Sequence, residues 1–186
     1  MYDMPNEVDV TVDGPLRITS QCIRVPVLNG HTATVFINFG KNPTKEELVD
    51  RLVNYTSKAS ELGLPHAPKQ FIQYLTDDDR PQVKKDVDYE GGMGVSIGRL
   101  REDTLFDYKF ACMSHNTLRG AAGGTVLLAE LLMGRPMFPG LQGMEALEPA
   151  REGRVTFPQD VDPDVPDALD RIVRRALHPD PEQRFQ

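Results

Sequence analysis

The sequence predicts an α+β fold: a mixed, mostly antiparallel sheet with helices on one face, followed by a small helical tail. Three features point there. Short stretches of alternating apolar residues recur as far as Cys112, a capped amphipathic helix interrupts them, and beyond Leu132 the composition turns to proline and acid before one last amphipathic helix. Residues 1–132 are therefore read as one domain and residues 133–186 as a tail.

Val8, Val10 and Val12 fall on one face of a strand, and after the turn residues Asp13-Gly14-Pro15 the run LRITSQCIRVPV is extended again. Asn29-Gly30 marks a turn. Val35, Ile37 and Phe39 then alternate with Thr34, Phe36 and Asn38, the pattern of a strand packed on at least one side. Thr44 and Glu47 form a capping box, and Leu48, Leu52, Tyr55, Ala59 and Leu62 recur at helical spacing until Gly63, so one helix is expected there. The short apolar run FIQYL follows, and TDDDRPQVKKDVDYEGG is polar enough to be expected as an exposed loop.

Met93, Val95 and Ile97 predict a strand, as do Phe106, Tyr108, Phe110 and Cys112, with Asp103 in the connection. From Asn116 the spacing of Leu118, Ala121, Ala122, Val126, Ala129 and Leu132 predicts a helix whose small residues let it lie close to another surface. In the tail, Pro166 opens a helix with Leu169, Ile172, Val173 and Ala176 on one face. Its acids Asp167 and Asp170 come early and Arg171, Arg174 and Arg175 late, as the helix dipole favours.

The formal net charge of −7, with Lys and Arg scattered among acids, provides no basic field for a phosphate backbone and disfavours nucleic acid. No apolar run approaches the roughly 18 residues that span a bilayer, and MYDMPNEVDV is not a secretion signal, so a cytoplasmic location is expected. The only cysteines, Cys22 and Cys112, exclude a disulfide framework and lack zinc-ligand spacing, so no metal is expected. Both read as small buried hydrophobes. His66 and His115 read as surface histidines.

Arg24 and His31 lie on either side of the Asn29-Gly30 turn, which can fold the imidazole back toward the strand carrying the guanidinium. A planar fork of donors beside a group titrating near neutrality suits an anionic substrate. The same spacing also fits a salt-bridged surface arginine and an ordinary loop histidine.

RVPVLNGH, GLPHAPKQ, DRPQ, VSIGRLREDTLFDYKF and SHNTLRGAAGG, in this order, resemble the aspartate-semialdehyde dehydrogenases of the fungal and archaeal branch, over residues 18–132. The resemblance implies the C-terminal domain of a glyceraldehyde-3-phosphate-dehydrogenase-like fold, which binds substrate and forms a homodimer. It implies NADP-linked interconversion of aspartyl phosphate and aspartate semialdehyde, a step of amino-acid biosynthesis. Arg24 would hold the carboxylate of the small acidic substrate, His31 would be the general acid/base, and Asn116 would contact the cofactor. The nucleophilic cysteine and the nucleotide-binding half of the family have no counterpart here, so NADP binding and activity are not expected from this chain alone. No glycine-rich strand-to-helix turn occurs in the first hundred residues, and GGMGVSIG leads into a strand. The alternative is a non-enzymatic dimerisation or interaction module.

LLAELLMGRPMFPG and VPDALDRIVRRALHPDPEQRFQ, within residues 127–186, resemble the end of a serine/threonine protein kinase C-lobe. Nothing upstream supplies the phosphate-covering loop, catalytic aspartate or DFG of a kinase, so kinase activity is excluded and Arg184 is expected to be solvated. The two resemblances meet at AELL, as in a fusion.

Overall fold

The computed structural model describes residues 25–141, 149, 152 and 154–184. Arg24, Cys22 and the strands expected before them lie outside the described residues. Among the described residues, β1 (His31–Ile37), β2 (Ile72–Leu75), β3 (Val95–Glu102) and β4 (Tyr108–Ser114) form a sheet in the order β1-β4-β3-β2. β4 runs antiparallel to both β1 and β3, while β2 is parallel to β3, the mixed and mostly antiparallel sheet that the alternating segments predict. Ser114 is the register point: it faces His31 on one side and Val95 on the other, so the chain entering β1 meets the chain leaving β4. β3 breaks register between Gly98 and Arg101, with Arg99 at φ +58. Gly98 is required there, because a Cβ would lie 2.5 Å from the Arg80 carbonyl oxygen of the crossing loop.

The helix expected from Thr44 to Gly63 is two helices. α1 (Lys45–Val53) starts at the reciprocal Thr44/Glu47 capping box, and α2 (Lys58–Glu61) starts anew at Ser57. Asn54 ends the first, and the Ser57 hydroxyl accepts from the Ser60 amide, so local polar groups compete with helix continuation although the apolar spacing carries on. The segment expected as an exposed loop also folds. It contains α3 (Val83–Asp86) and a 3₁₀ turn over Tyr89–Gly92, and its Asp86 is buried. Burial is tolerated because Asp86 is paired with Arg80, whose Nε lies 3.1 Å away, and accepts the Gln82 amide at 2.6 Å. That pairing holds its carboxyl below the usual range.

Beyond β4, a π-helical turn over Leu118–Ala122 leads into α4 (Gly123–Met133), which ends on Gly134 in the left-handed region. The tail adds α5 (Pro158–Val161) and α6 (Asp167–Ala176). α4 serves two cores. Val126, Ala129 and Met133, spaced along one face, pack with Met137, Phe138 and Val173 of the tail, while Leu127 packs with Ala59, Leu64 and Met93. Ile172, expected on the inward face of α6, is exposed; Val173 beside it fills the core. Arg184 is not simply solvated: its guanidinium donates to the His178 and Pro179 carbonyls that follow α6.

Candidate functional site

His31 is the first residue of β1 and is exposed, with no hydrogen-bond partner for its ring among the described residues. The turn before it is fixed from two sides. Gly30 is buried at φ +98, a backbone conformation that favours glycine, and a Cβ there would touch the methyls of Val83 and Val87 at 3.4 Å. Its amide donates to the Asn116 side-chain oxygen at 2.9 Å, a bond between positions 86 residues apart.

Asn116 is held by its neighbour. His115 is 5% exposed, and its Nδ1 accepts the backbone amides of Thr117 and Leu118, both at 3.2 Å, with the Thr117 hydroxyl at 3.1 Å. An acceptor Nδ1 puts the ring proton on Nε2. His115 is thus a buried structural group, not a surface histidine, and Gly92 leaves room for its ring, since a Cβ would lie 3.2 Å from the His115 Cδ2.

His66 departs from expectation as well. Its Nδ1 lies 2.9 Å from Oε1 of Glu130, a carboxylate whose side chain is fully buried. The same carboxylate accepts the Met137 amide at 3.1 Å and the His66 amide at 3.4 Å. Three donors compensate the lost hydration of one charge. This cluster was missed by reading the sequence, yet the signal was there: a lone acid in the apolar run GGTVLLAELLM.

Cys112 lies in the middle of β4, where burial pushes its thiol up and away from the thiolate that a nucleophile needs. The residues present do not fit a dinucleotide by themselves. The Asn116 oxygen is taken by the Gly30 amide, which leaves only its Nδ2 for a ligand, and α4 continues a π-helical turn so closely that a Cβ on its leading Gly123 or Gly124 would lie 2.6 Å from the Leu118 or Arg119 carbonyl oxygen. Among the described residues no three His, Cys, Asp or Glu side chains gather where they could hold a metal ion, and no helix is long and apolar enough to cross a membrane.

A mixed sheet with a glycine-held turn and a histidine at the head of β1 agrees with the class that a family profile defines: the dimerisation domain of semialdehyde dehydrogenases matches residues 3–119, and the chain belongs to this family. Its relatives are aspartate-semialdehyde dehydrogenases. That of Candida albicans is 44% identical over 122 residues, covering 64% of this chain and 33% of the relative. That of Saccharomyces cerevisiae is 43% identical over the same length, and that of the archaeon Methanothermobacter thermautotrophicus is 38% identical over 117 residues. The crystal structure of the Candida albicans enzyme with NADP superposes with a TM-score of 0.54 over 60% of this chain and 32% of that one, at 44% identity. The chain therefore spans about a third of the length of the curated relatives it matches. The family match ends at residue 119 and lends no support to the kinase-like reading of the tail.

Proposed function

We propose that this chain is the substrate-gripping and proton-handling part of an NADP-dependent aspartate-semialdehyde dehydrogenase, inactive until the nucleotide-binding part and its nucleophilic cysteine are supplied by another polypeptide segment. The observation that carries this is the RVPVLNGH segment, which delivers an exposed imidazole, without a partner among the described residues, at the head of β1 on a turn anchored through the Gly30 amide.

In this reading Arg24 offers two parallel donors to the substrate carboxylate and fixes which end of a small acidic molecule faces His31. When a cysteine thiolate from the remainder of the enzyme adds to the aldehyde carbon, His31 donates a proton to the carbonyl oxygen, and it takes that proton back as the carbon is oxidised to a thioester. Phosphate then releases the acyl group as aspartyl phosphate. The nicotinamide that receives the hydride is held outside the residues described here. The domain works as a homodimer, as its family's dimerisation role suggests, with residues 1–132 forming the catalytic-family unit and residues 133–186 a tail docked through α4.

A second reading is a non-enzymatic interaction module, favoured by the large apolar side chains that stand exposed, Leu28 at 96% and Leu105 at 84%. Light scattering separates the two: a dimer is common to both, whereas higher assembly or capture of a second protein favours the module. The enzymatic reading is tested by an NADPH-linked assay with aspartate semialdehyde and phosphate. The purified chain is expected to show no turnover, and turnover by the chain alone would reject the division of labour.

A further inference from the structure

We infer that Asn116 is a positioning residue for His31, acting through the Gly30 amide; this rests on the role proposed above for His31. Its oxygen accepts the amide of the residue directly before His31 at 2.9 Å. That amide belongs to a buried glycine just before β1, ahead of the first ladder pair, and the side chain of Asn116 supplies the acceptor it needs.

The clamp is itself braced. Asn116 follows Ser114, the residue that faces His31 across the β1–β4 ladder, and sits between His115 and Thr117, whose mutual hydrogen bonds fix the loop. Beside Gly30 stand Val83 and Val87, at the two ends of α3, where Asp86 ties the end of the helix back to Arg80 and the Gln82 amide before it. Turn, loop and α3 meet at Gly30, and the imidazole of the next residue stands exposed. An acid/base histidine needs that arrangement: the ring is free to exchange protons, but its backbone is fixed to a fraction of an ångström.

The two roles for Asn116 differ in which atom they use. Positioning uses the oxygen as acceptor, while a contact to cofactor phosphate would use the Nδ2 hydrogens as donors. Asn116→Asp keeps the first and abolishes the second. In the full chain, followed by ¹H–¹⁵N and imidazole NMR, Asn116→Ala is expected to speed Gly30 amide exchange at least tenfold and to shift or broaden the His31 ring resonances, with the β3 amides as a control for folding. Asn116→Asp is expected to preserve Gly30 protection and move its amide resonance downfield, as a charged acceptor does. Unchanged Gly30 exchange in Asn116→Ala overturns the inference; should that variant not fold, a Gly30 amide that fails to move in Asn116→Asp overturns it equally. Neither readout depends on turnover. A chain that passes both but keeps full activity after loss of His31, once complemented, would refute the catalytic reading and leave the clamp standing.

Discussion

The turn before His31 and the seam along α4 are each organised by one polar side chain, and they do so in opposite ways. Asn116 is neutral, half-buried, and accepts one hydrogen bond from a backbone amide beside an exposed ring. Glu130 is charged, fully buried, and accepts from two backbone amides and the His66 ring. A buried carboxylate gives strong fixation but draws a neighbouring histidine ring into its own hydrogen bonding, as Glu130 does with the Nδ1 of His66 at 2.9 Å. A neutral amide fixes the backbone and leaves the imidazole beside it open to solvent. The contrast explains why two histidines of one chain have different employment.

Removing each anchor should expose that difference. The largest effect is expected at the seam: Glu130→Ala leaves two backbone amides and the His66 ring without their partner, and should cost about 3 kcal/mol in urea denaturation. Glu130→Gln, which keeps acceptor oxygen, should cost clearly less. If the two are equal, the charge itself and not its hydrogen bonding holds α4 to the loops. Next comes Gly98→Ala, where the new methyl meets the Arg80 carbonyl; a loss of about 2 kcal/mol is expected by the same measurement, together with disturbance of the α3 side of the Gly30 turn. Asn116→Ala should cost about 1 kcal/mol, a single ordinary hydrogen bond, so that its consequences appear at His31 more than in global stability.

The smallest effect concerns pH, at the end of the sheet away from His31. Asp103 accepts a bond from Lys109 at 2.7 Å and the amides of Leu105 and Phe106, which hold its carboxyl down to about 2. A folded value below the unfolded one means that its stabilisation is complete above the unfolded pKa, roughly 4, and is lost as pH falls through about 2. Asp103→Asn should lower stability slightly across the neutral range, where that stabilisation is complete, and by progressively less toward pH 2, so that the profile flattens in the acid window, as thermal melts across pH would show.

What could be read from the sequence follows the range of the interactions. Alternation placed β1, β3 and β4 because each strand's own side chains carry the signal, and the Thr44/Glu47 box fixed the start of α1 because both partners lie within one turn. The break at Asn54 to Ser57 was hidden by Ala59 and Leu62, which keep helical spacing across it. Asp86 was hidden by its polar neighbours: composition marks TDDDRPQVKKDVDYEGG as solvated, and only the fold shows that Arg80 turns to neutralise the acid of this segment that goes inside. His66 and Glu130 are 64 residues apart, and no local pattern pairs them. At the site, the Asn29-Gly30 turn and His31 were legible for the same local reason, but the bond from Gly30 to Asn116, between positions 86 residues apart, was not.

The most direct measurement is complementation: mix the chain with a separately produced nucleotide-binding half of an aspartate-semialdehyde dehydrogenase and follow the reduction of added NADP+ to NADPH with aspartate semialdehyde and phosphate. Turnover should appear only in the mixture, and His31→Asn should lower it by about 10² to 10⁴-fold, the range for loss of a general acid/base. Turnover from the unmixed chain, or a mixture as active with His31→Asn as without it, would contradict the assignment.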